Sequence, residues 1–447
     1  MTESTVQSER RTGFSRFSKP STAQSASAMA IGNVAAMVLR LTGGVILAGL
    51  LLPAELGTIN AVGLVLTYTG FLQAGVLNGL NRELPYFMGK GLKQHSHELA
   101  ACALFWSVGC GLAVCMVMLA WTIIEAILGQ WQLAEAWGAH TLLVMLIFPS
   151  MYLKGTFRTS SEFVKLAITQ FAMALVAFSL LALVWKVGFV GQCIRLAAAG
   201  CTEMALLWYW RPIRVWPKFR WVHFWHLLKI GLPIFAVGYF YSAWCSLDSV
   251  LILKNLGKEQ LGYYQLTTLS ISAGMTITLA LSQVVYPRMS HMYGQTEDAR
   301  KVFRWAWRPT FLLGAAALPV LCAGWFMIEP VVMWLLPRYA PGIPAAQWSM
   351  VTIFTLCFFP PLNIYNVVKR QMIYAVVIGL SAGSFLLAVS LLREHNPNDL
   401  SVYSRAMACG SAVFVVLGNL LGYVVARQTN VAAARRAKAK PREDTAP

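Results

Sequence analysis

The sequence predicts an all-α polytopic membrane protein with about 12 transmembrane helices arranged as two six-helix halves, and three observations predict it. Of its 447 residues 57% are hydrophobic and only 12% charged, about half the charged share of an average soluble protein. Apolar stretches of about 18 to 25 residues recur from end to end, each long enough to cross a hydrocarbon core of about 30 Å as a helix. Basic residues crowd into alternate connecting segments, as they do when successive loops lie on opposite sides of a membrane. Lipid gives the backbone no hydrogen-bond partners, so the spans must be helical. The short alternating strands of a barrel are absent from the sequence.

In chain order the spans are expected at 27–51, 57–80, 99–124, 136–153, 164–185 and 189–210, then at 232–253, 261–286, 307–328, 345–364, 372–392 and 402–426. The fourth is short, and the sixth carries Gln192, Arg195 and Glu203. Pro149, Pro233, Pro319 and Pro360-Pro361 interrupt helical bonding inside or at the edges of spans, which membrane helices tolerate. A kink is expected at Pro360-Pro361, inside the tenth.

With the N-terminus inside, the inner tails and loops hold 28 of the 36 Lys and Arg residues. The outer loops hold Lys186, Lys254, Lys258, Arg338 and Arg393, and Arg40, Arg195 and Arg405 lie within helices. A missed or invented helix would scramble this asymmetry, so both termini are expected in the cytoplasm. Topology therefore explains the net charge of +18 without nucleic acid. The segment 211–229, where Trp216, Trp221 and Trp225 interleave with Arg214, Lys218 and Arg220, is expected to attract anionic membrane lipid.

The nine cysteines fall in or beside apolar helices without a metal-like spacing. The pairs His95 with His97 and His223 with His226 have no supporting carboxylate or thiolate in the sequence, so no metal site is expected. Arg10-Arg11 precedes an apolar run that is too distant and too long for a signal peptide.

An offset of 205 lays Leu56-Gly57 on Leu261-Gly262 and Gly89 on Gly294, and pairs the two halves helix by helix. The repeat is parallel, related by an axis along the membrane normal, a plan common in secondary transporters. The expected organisation is a disordered cytoplasmic tail (1–26), a first lobe (27–210), a basic amphipathic linker (211–229), a second lobe (230–427) and a disordered tail (428–447).

Arg40 followed by 52–57 (Leu-Pro-Ala-Glu-Leu-Gly), the turn 75–82, Gly231-Leu232-Pro233, and Asp248 followed by Leu256-Gly257 and Leu261-Gly262-Tyr263 carry a family resemblance. Over roughly 27–427 the chain resembles the polysaccharide-exporter (Wzx-type) branch of the multidrug/oligosaccharidyl-lipid/polysaccharide exporter superfamily. The resemblance implies a flippase that carries a lipid-linked oligosaccharide, of the undecaprenyl-diphosphate type, across a bacterial inner membrane by alternating access between lobes around a central cavity. It implies no cofactor beyond a coupling proton or sodium ion, and partners among polysaccharide polymerase and chain-length machinery. Twelve spans, not the fourteen of the related lipid II flippases, disfavour that subfamily.

Such a carrier must replace water around a sugar and a diphosphate. Arg40, about thirteen residues into the first helix, sits near mid-bilayer, where an arginine costs roughly 3 kcal/mol unless it meets a wet cavity or a partner. It is the first substrate-contacting candidate, against an internal ion pair that sets helix register. For Asp248 three readings stay open: a partner for an arginine, a carrier of the coupling ion, or a hydrated residue near the outer interface.

Arg82 and Arg288 end the second and eighth helices, and their planar donor forks suit a clamp on the diphosphate, although orientation alone accounts for an arginine there. Arg195 and Arg405 lie near the outer ends of their helices, where they could snorkel to the interface; they rank second as candidates, and Arg195 is carried among the expected substrate contacts. Asn33, Asn60, Asn78, Asn363 and Asn366 could bond sugar hydroxyls, though interhelical bonding is the commoner use of asparagine in membranes. A cation-coupled multidrug exporter would favour an acid in the first helix, where this chain has Arg40. A polymerase or ligase would need catalytic groups on a large outer loop, and no paired carboxylates stand out.

Overall fold

The computed structural model describes residues 22–439; among these, the side chains of 22–31, 33, 287 and 431–439 lie outside the described set, and Asn33 with them. The elements are α1 (Thr22–Leu50), α2 (Pro53–Thr69), α3 (Val76–Gly89), α4 (Lys93–Ile127), α5 (Trp131–Thr159), α6 (Phe163–Ser179), α7 (Leu181–Val187), α8 (Phe189–Tyr209), α9 (Trp221–Trp244), α10 (Leu247–Leu256), α11 (Lys258–Tyr263), α12 (Gln265–Thr296), α13 (Ala299–Leu335), α14 (Ile343–Leu356), α15 (Ile364–Val367), α16 (Gln371–His395) and α17 (Ser401–Ala439). No strand occurs among the described residues.

These helices compose the twelve expected spans, with α2–α3, α6–α7, α9–α10, α11–α12 and α14–α15 each making one broken span. Eight continuous stretches are long and apolar enough to cross a membrane, and two more spans qualify as bent pairs. The first span and the sixth, α8, complete the count. An even number of crossings puts both termini on one face, here the terminal face; the other is the distal face.

Both bent pairs have visible causes. The second span turns by 55° where a 3-10 turn (Gly70–Gln73) runs into Ala74 and Gly75 at positive φ. The tenth bends by 49° at Pro360-Pro361, as expected, because two consecutive prolines remove two N–H donors from the ladder.

Three expected boundaries move. Helix α1 begins at Thr22, inside the segment expected as the first disordered tail. Helix α9 begins at Trp221, so only 211–220 forms an irregular linker. Phe224 and Leu227 explain this, since both are buried beside Leu80, Leu84 and Leu99 in the core of the first lobe. At the C-terminus, α17 runs to Ala439 through part of the segment expected as a disordered tail. Residues 1–21 and 440–447, the remainder of the two tails, lie outside the described residues.

The lobes meet tightly at the distal face. A methyl group on Gly57 would overlap the carbonyl of Lys258, and one on Gly262 would overlap the carbonyl of Pro53. Under the offset of 205 these two contacts are one contact seen from each lobe. Around them Leu51 and Leu56 pack with Leu266, Leu336 and Tyr339, and the Tyr339 hydroxyl donates to the Leu51 carbonyl at 3.2 Å. A second close approach sets Gly75, at φ 89°, against the backbone of Gly231, so that the first turns of α9 lean on α3.

Candidate functional site

Below the distal seal lies a cavity of about 690 Å³. Its walls are α1, α2, α5, α6 and α8 of the first lobe, and Leu261, Gln265, Thr268 and Leu269 of the second lobe close it. Arg40, Asn60 and Arg195, three of the residues expected to touch substrate, face this space. The cavity is therefore built mainly inside one lobe and closed by the other.

Helix α8 shows why the sixth span is so polar. Gln192, Arg195, Leu196, Ala199, Gly200 and Glu203 follow a three-and-four spacing and all line the cavity, so one stripe of the helix faces this space. Arg195 does not snorkel to an interface. Its Nε donates to Gln192 Oε1 at 2.6 Å and its Nη1 to the Ala177 carbonyl at 3.1 Å. Both acceptors are neutral, so the guanidinium is fixed in place and its charge is left uncompensated.

Glu203 is the only carboxylate among the described lining residues, and it is already taken by Lys154 of α5 at 2.8 Å. Gln170 of α6 donates to Glu203 at 3.2 Å and accepts from Arg40 at 3.4 Å. A relay of side chains thus runs from Arg40 through Gln170 and Glu203 to Lys154. Counting formal charges, the pair cancels and Arg40 with Arg195 leaves the cavity cationic.

Two polar features sit beside the arginines. Asn60 Nδ2 donates to Gln265 Oε1 at 2.8 Å across the lobe boundary. His140, buried in α5, is anchored through Nδ1 to the Ala136 carbonyl at 2.8 Å and also lines the cavity. Sequence reasoning does not single out His140, Gln170, Gln192 or Gln265 as site residues. The signal available is their place inside apolar spans, where a polar side chain calls for a partner or water.

The remaining candidates lie elsewhere. Arg82 and Arg288, expected as a clamp on the diphosphate, are exposed and absent from the cavity wall, so they do not join Arg40 there. The expectation followed the repeat and ignored which way each helix end points. Asp248 is buried and accepts from the Tyr264 hydroxyl at 2.7 Å and from the Ser249 backbone at 2.6 Å, with no arginine partner among the described residues. Asn78 lines a neighbouring pocket that shares Leu66, Thr67 and Ile147 with the main cavity. Arg405 reaches Asp399 at 3.9 Å and stacks over Trp348, and Asn363 donates to Ser282.

The histidines do find a carboxylate. Glu98 of α4 accepts from Arg220 at 2.9 Å and lies 3.0 Å from His223 Nε2, while His226 meets Glu83 at 3.1 Å. The ligand atoms of His95, Glu98 and His223 fall within 4.8 Å of one another. Since Arg220 holds the same Glu98 oxygen as His223, this group acts as an ion-pair clasp joining α9 to the first lobe. Its partners are about 125 residues apart, which is why sequence spacing could not reveal it.

A profile of the polysaccharide biosynthesis protein family matches residues 46–339, about two thirds of the chain and both lobes of the cavity. The chain belongs to this polysaccharide biosynthesis family. No curated protein matches it in sequence. In fold, the family member is similar to an inward-facing multidrug resistance MATE family transporter of the MOP superfamily, with a TM-score of 0.70 at 13% identity over 88% of this chain and 95% of that one. An outward-facing MATE family transporter of the same superfamily gives 0.63 at 15% identity over 92% and 97%. The Vibrio cholerae MATE transporter VcmN in its bent form gives 0.60 at 13% over 92% of this chain and 99% of that one. At these identities the likeness concerns the fold, a two-lobed bundle of helices.

Proposed function

We propose that this polysaccharide biosynthesis family protein is a flippase for a lipid-linked oligosaccharide of the diphosphate type, working by alternating access in a bacterial inner membrane with its termini in the cytoplasm. One observation carries the reading: the cavity presents two arginines that no carboxylate among the described residues neutralises. A cationic wall within the membrane is costly when empty and favourable when a diphosphate enters, by the complementarity that governs charged recognition.

The geometry supports a division of labour. Arg40 and Arg195 take the diphosphate oxygens, for which a guanidinium offers paired donors. Asn60, Gln192 and Gln265 supply amides for sugar hydroxyls. The glycine-tight contact at the distal face is the seal of a state open toward the terminal face, and its parting releases the cargo outward. No bond is broken; the protein replaces water around charge and sugar during the crossing. Polymerising enzymes on the far side would then take up the cargo.

A cation-coupled drug exporter fits this cavity less well, because two guanidinium groups bonded only to neutral acceptors repel cationic cargo. The deciding experiment is replacement of a known flippase in a strain that accumulates lipid-linked intermediates. Restored surface polysaccharide and a fall in those intermediates support the proposal; unchanged accumulation beside a gain in resistance to cationic drugs would reverse it.

A further inference from the structure

A second concentration of charge lies far from the cavity. On the terminal face of the second lobe a recess of about 550 Å³ is lined by Asp298, Arg300, Lys301, Arg304, Trp305, Arg308 and, from α17, Asn430. Arg300, Arg304 and Arg308 recur every fourth residue at the start of α13, so they stand one above another on the same face. Like charges at this spacing repel, and the arrangement works against the helix it sits on.

The one carboxylate on the wall does not neutralise them. Asp298 caps α13, accepting from the Lys301 backbone at 2.9 Å and from Asn430 Nδ2 at 2.6 Å, while Asn430 Oδ1 accepts from the Ala299 N–H at 2.8 Å. These donors, the Lys301 N–H first, hold the Asp298 carboxyl below the usual carboxylate range, so it keeps its charge but its acceptors are occupied. None of the four basic side chains makes an ion pair among the described residues. Arg300 spends one Nη on the Tyr423 hydroxyl at 3.2 Å, and its buried Nε has no acceptor among the described residues.

The positive-inside tendency accounts for the sign of these charges, and it would be satisfied by residues scattered along loops. It does not account for a concave recess, a regular stripe, a braced carboxylate and a buried guanidinium nitrogen left without an acceptor. Trp305 lines the recess beside the stripe, and an indole is the kind of side chain that settles among lipid head groups. We propose that this recess binds the phosphate of a lipid head group from the leaflet at the terminal face, as a site separate from the transport cavity.

Two lipids carry that chemistry, an anionic bilayer phospholipid and a polyprenyl diphosphate, and one experiment separates them. The purified full-length protein is placed in nanodiscs of zwitterionic phosphatidylcholine, and retention of added phosphatidylglycerol or undecaprenyl diphosphate is counted by native mass spectrometry. The Arg304→Gln/Arg308→Gln variant should lower retention of the preferred lipid by about 30-fold, each removed charge being worth roughly a factor of five beside a membrane. An Arg338→Gln/Arg393→Gln variant, which loses the same charge elsewhere, should retain it as the wild type does. Thermal unfolding of each variant verifies folding, since none of the four side chains is buried. Selective loss of phosphatidylglycerol identifies a bilayer lipid and selective loss of undecaprenyl diphosphate identifies a cargo-type lipid; either supports the site. Equal loss in both variants, or no retention by the wild type, overturns it.

Discussion

Asn60 and Gln265 are hydrogen-bonded at 2.8 Å and stand 205 positions apart, the interval that superposes the two halves of the sequence. A residue and its own counterpart therefore touch across the pseudo-twofold axis, at the boundary between the cavity and the distal seal. Replacing either by leucine should weaken the closed state, and a double-mutant cycle should give a coupling of about 0.6 to 1.7 kcal/mol, the span measured for interhelical bonds in membranes. Strictly additive effects on unfolding would show that the pair does not hold the lobes together.

The seal itself depends on two residues that have no side chain. Gly262→Val must push α11 away from Pro53, because the clash is with backbone and no rotamer relieves it. A cysteine placed at the buried position Leu266 should then react with a membrane-impermeant thiol reagent added at the distal face, while the same cysteine without Gly262→Val stays protected. Equal labelling in both backgrounds would contradict a glycine-dependent seal.

Glu203 and Lys154 are predicted to act as a neutralised pair. Glu203→Gln strands a partly buried ammonium and should cost about 1 to 3 kcal/mol of stability, less than a fully buried pair because both groups keep some exposure. Lys154→Met combined with Glu203→Gln should recover most of that loss. If the double variant proves less stable than either single one, the pair is not the unit described.

Asp248 is predicted to brace α10 against Tyr264, its carboxylate accepting from the Tyr264 hydroxyl and from the backbone and hydroxyl of Ser249. Asp248→Asn retains an acceptor and should preserve folding, transport and any dependence on a proton or sodium gradient, whereas Asp248→Leu should lower the unfolding temperature. Loss of gradient dependence in Asp248→Asn with folding intact would instead make it the coupling residue.

These residues show what the sequence makes legible. The spans could be read because bilayer thickness sets helix length, and even the bend at Pro360-Pro361 follows from missing donors. Depth along a helix could also be read, which is how Arg40 stood out. Direction around the helix axis could not, so Arg195 ranked only second among the substrate contacts, within reach of the outer interface, and Arg82 with Arg288 looked like a clamp. The Glu98 carboxylate beside His223, and Lys154 beside Glu203, are joined only by the packing of distant helices. The repeat was visible as a glycine match, but not that the matching glycines pack against one another's helices.

The central claim is that uncompensated guanidinium groups carry a lipid-linked diphosphate through the first lobe. It is tested by reconstituting the purified protein into liposomes with a fluorescent lipid-linked diphosphate oligosaccharide and measuring how fast the label moves between leaflets. The wild type should move it, and Arg40→Ala and Arg195→Ala should each slow it by tenfold or more, since removing one charge-assisted hydrogen bond to the diphosphate raises the barrier by about 1.4 kcal/mol. Arg40→Lys should recover part of the rate. Movement at the wild-type rate in an Arg40→Ala/Arg195→Ala protein would contradict the account.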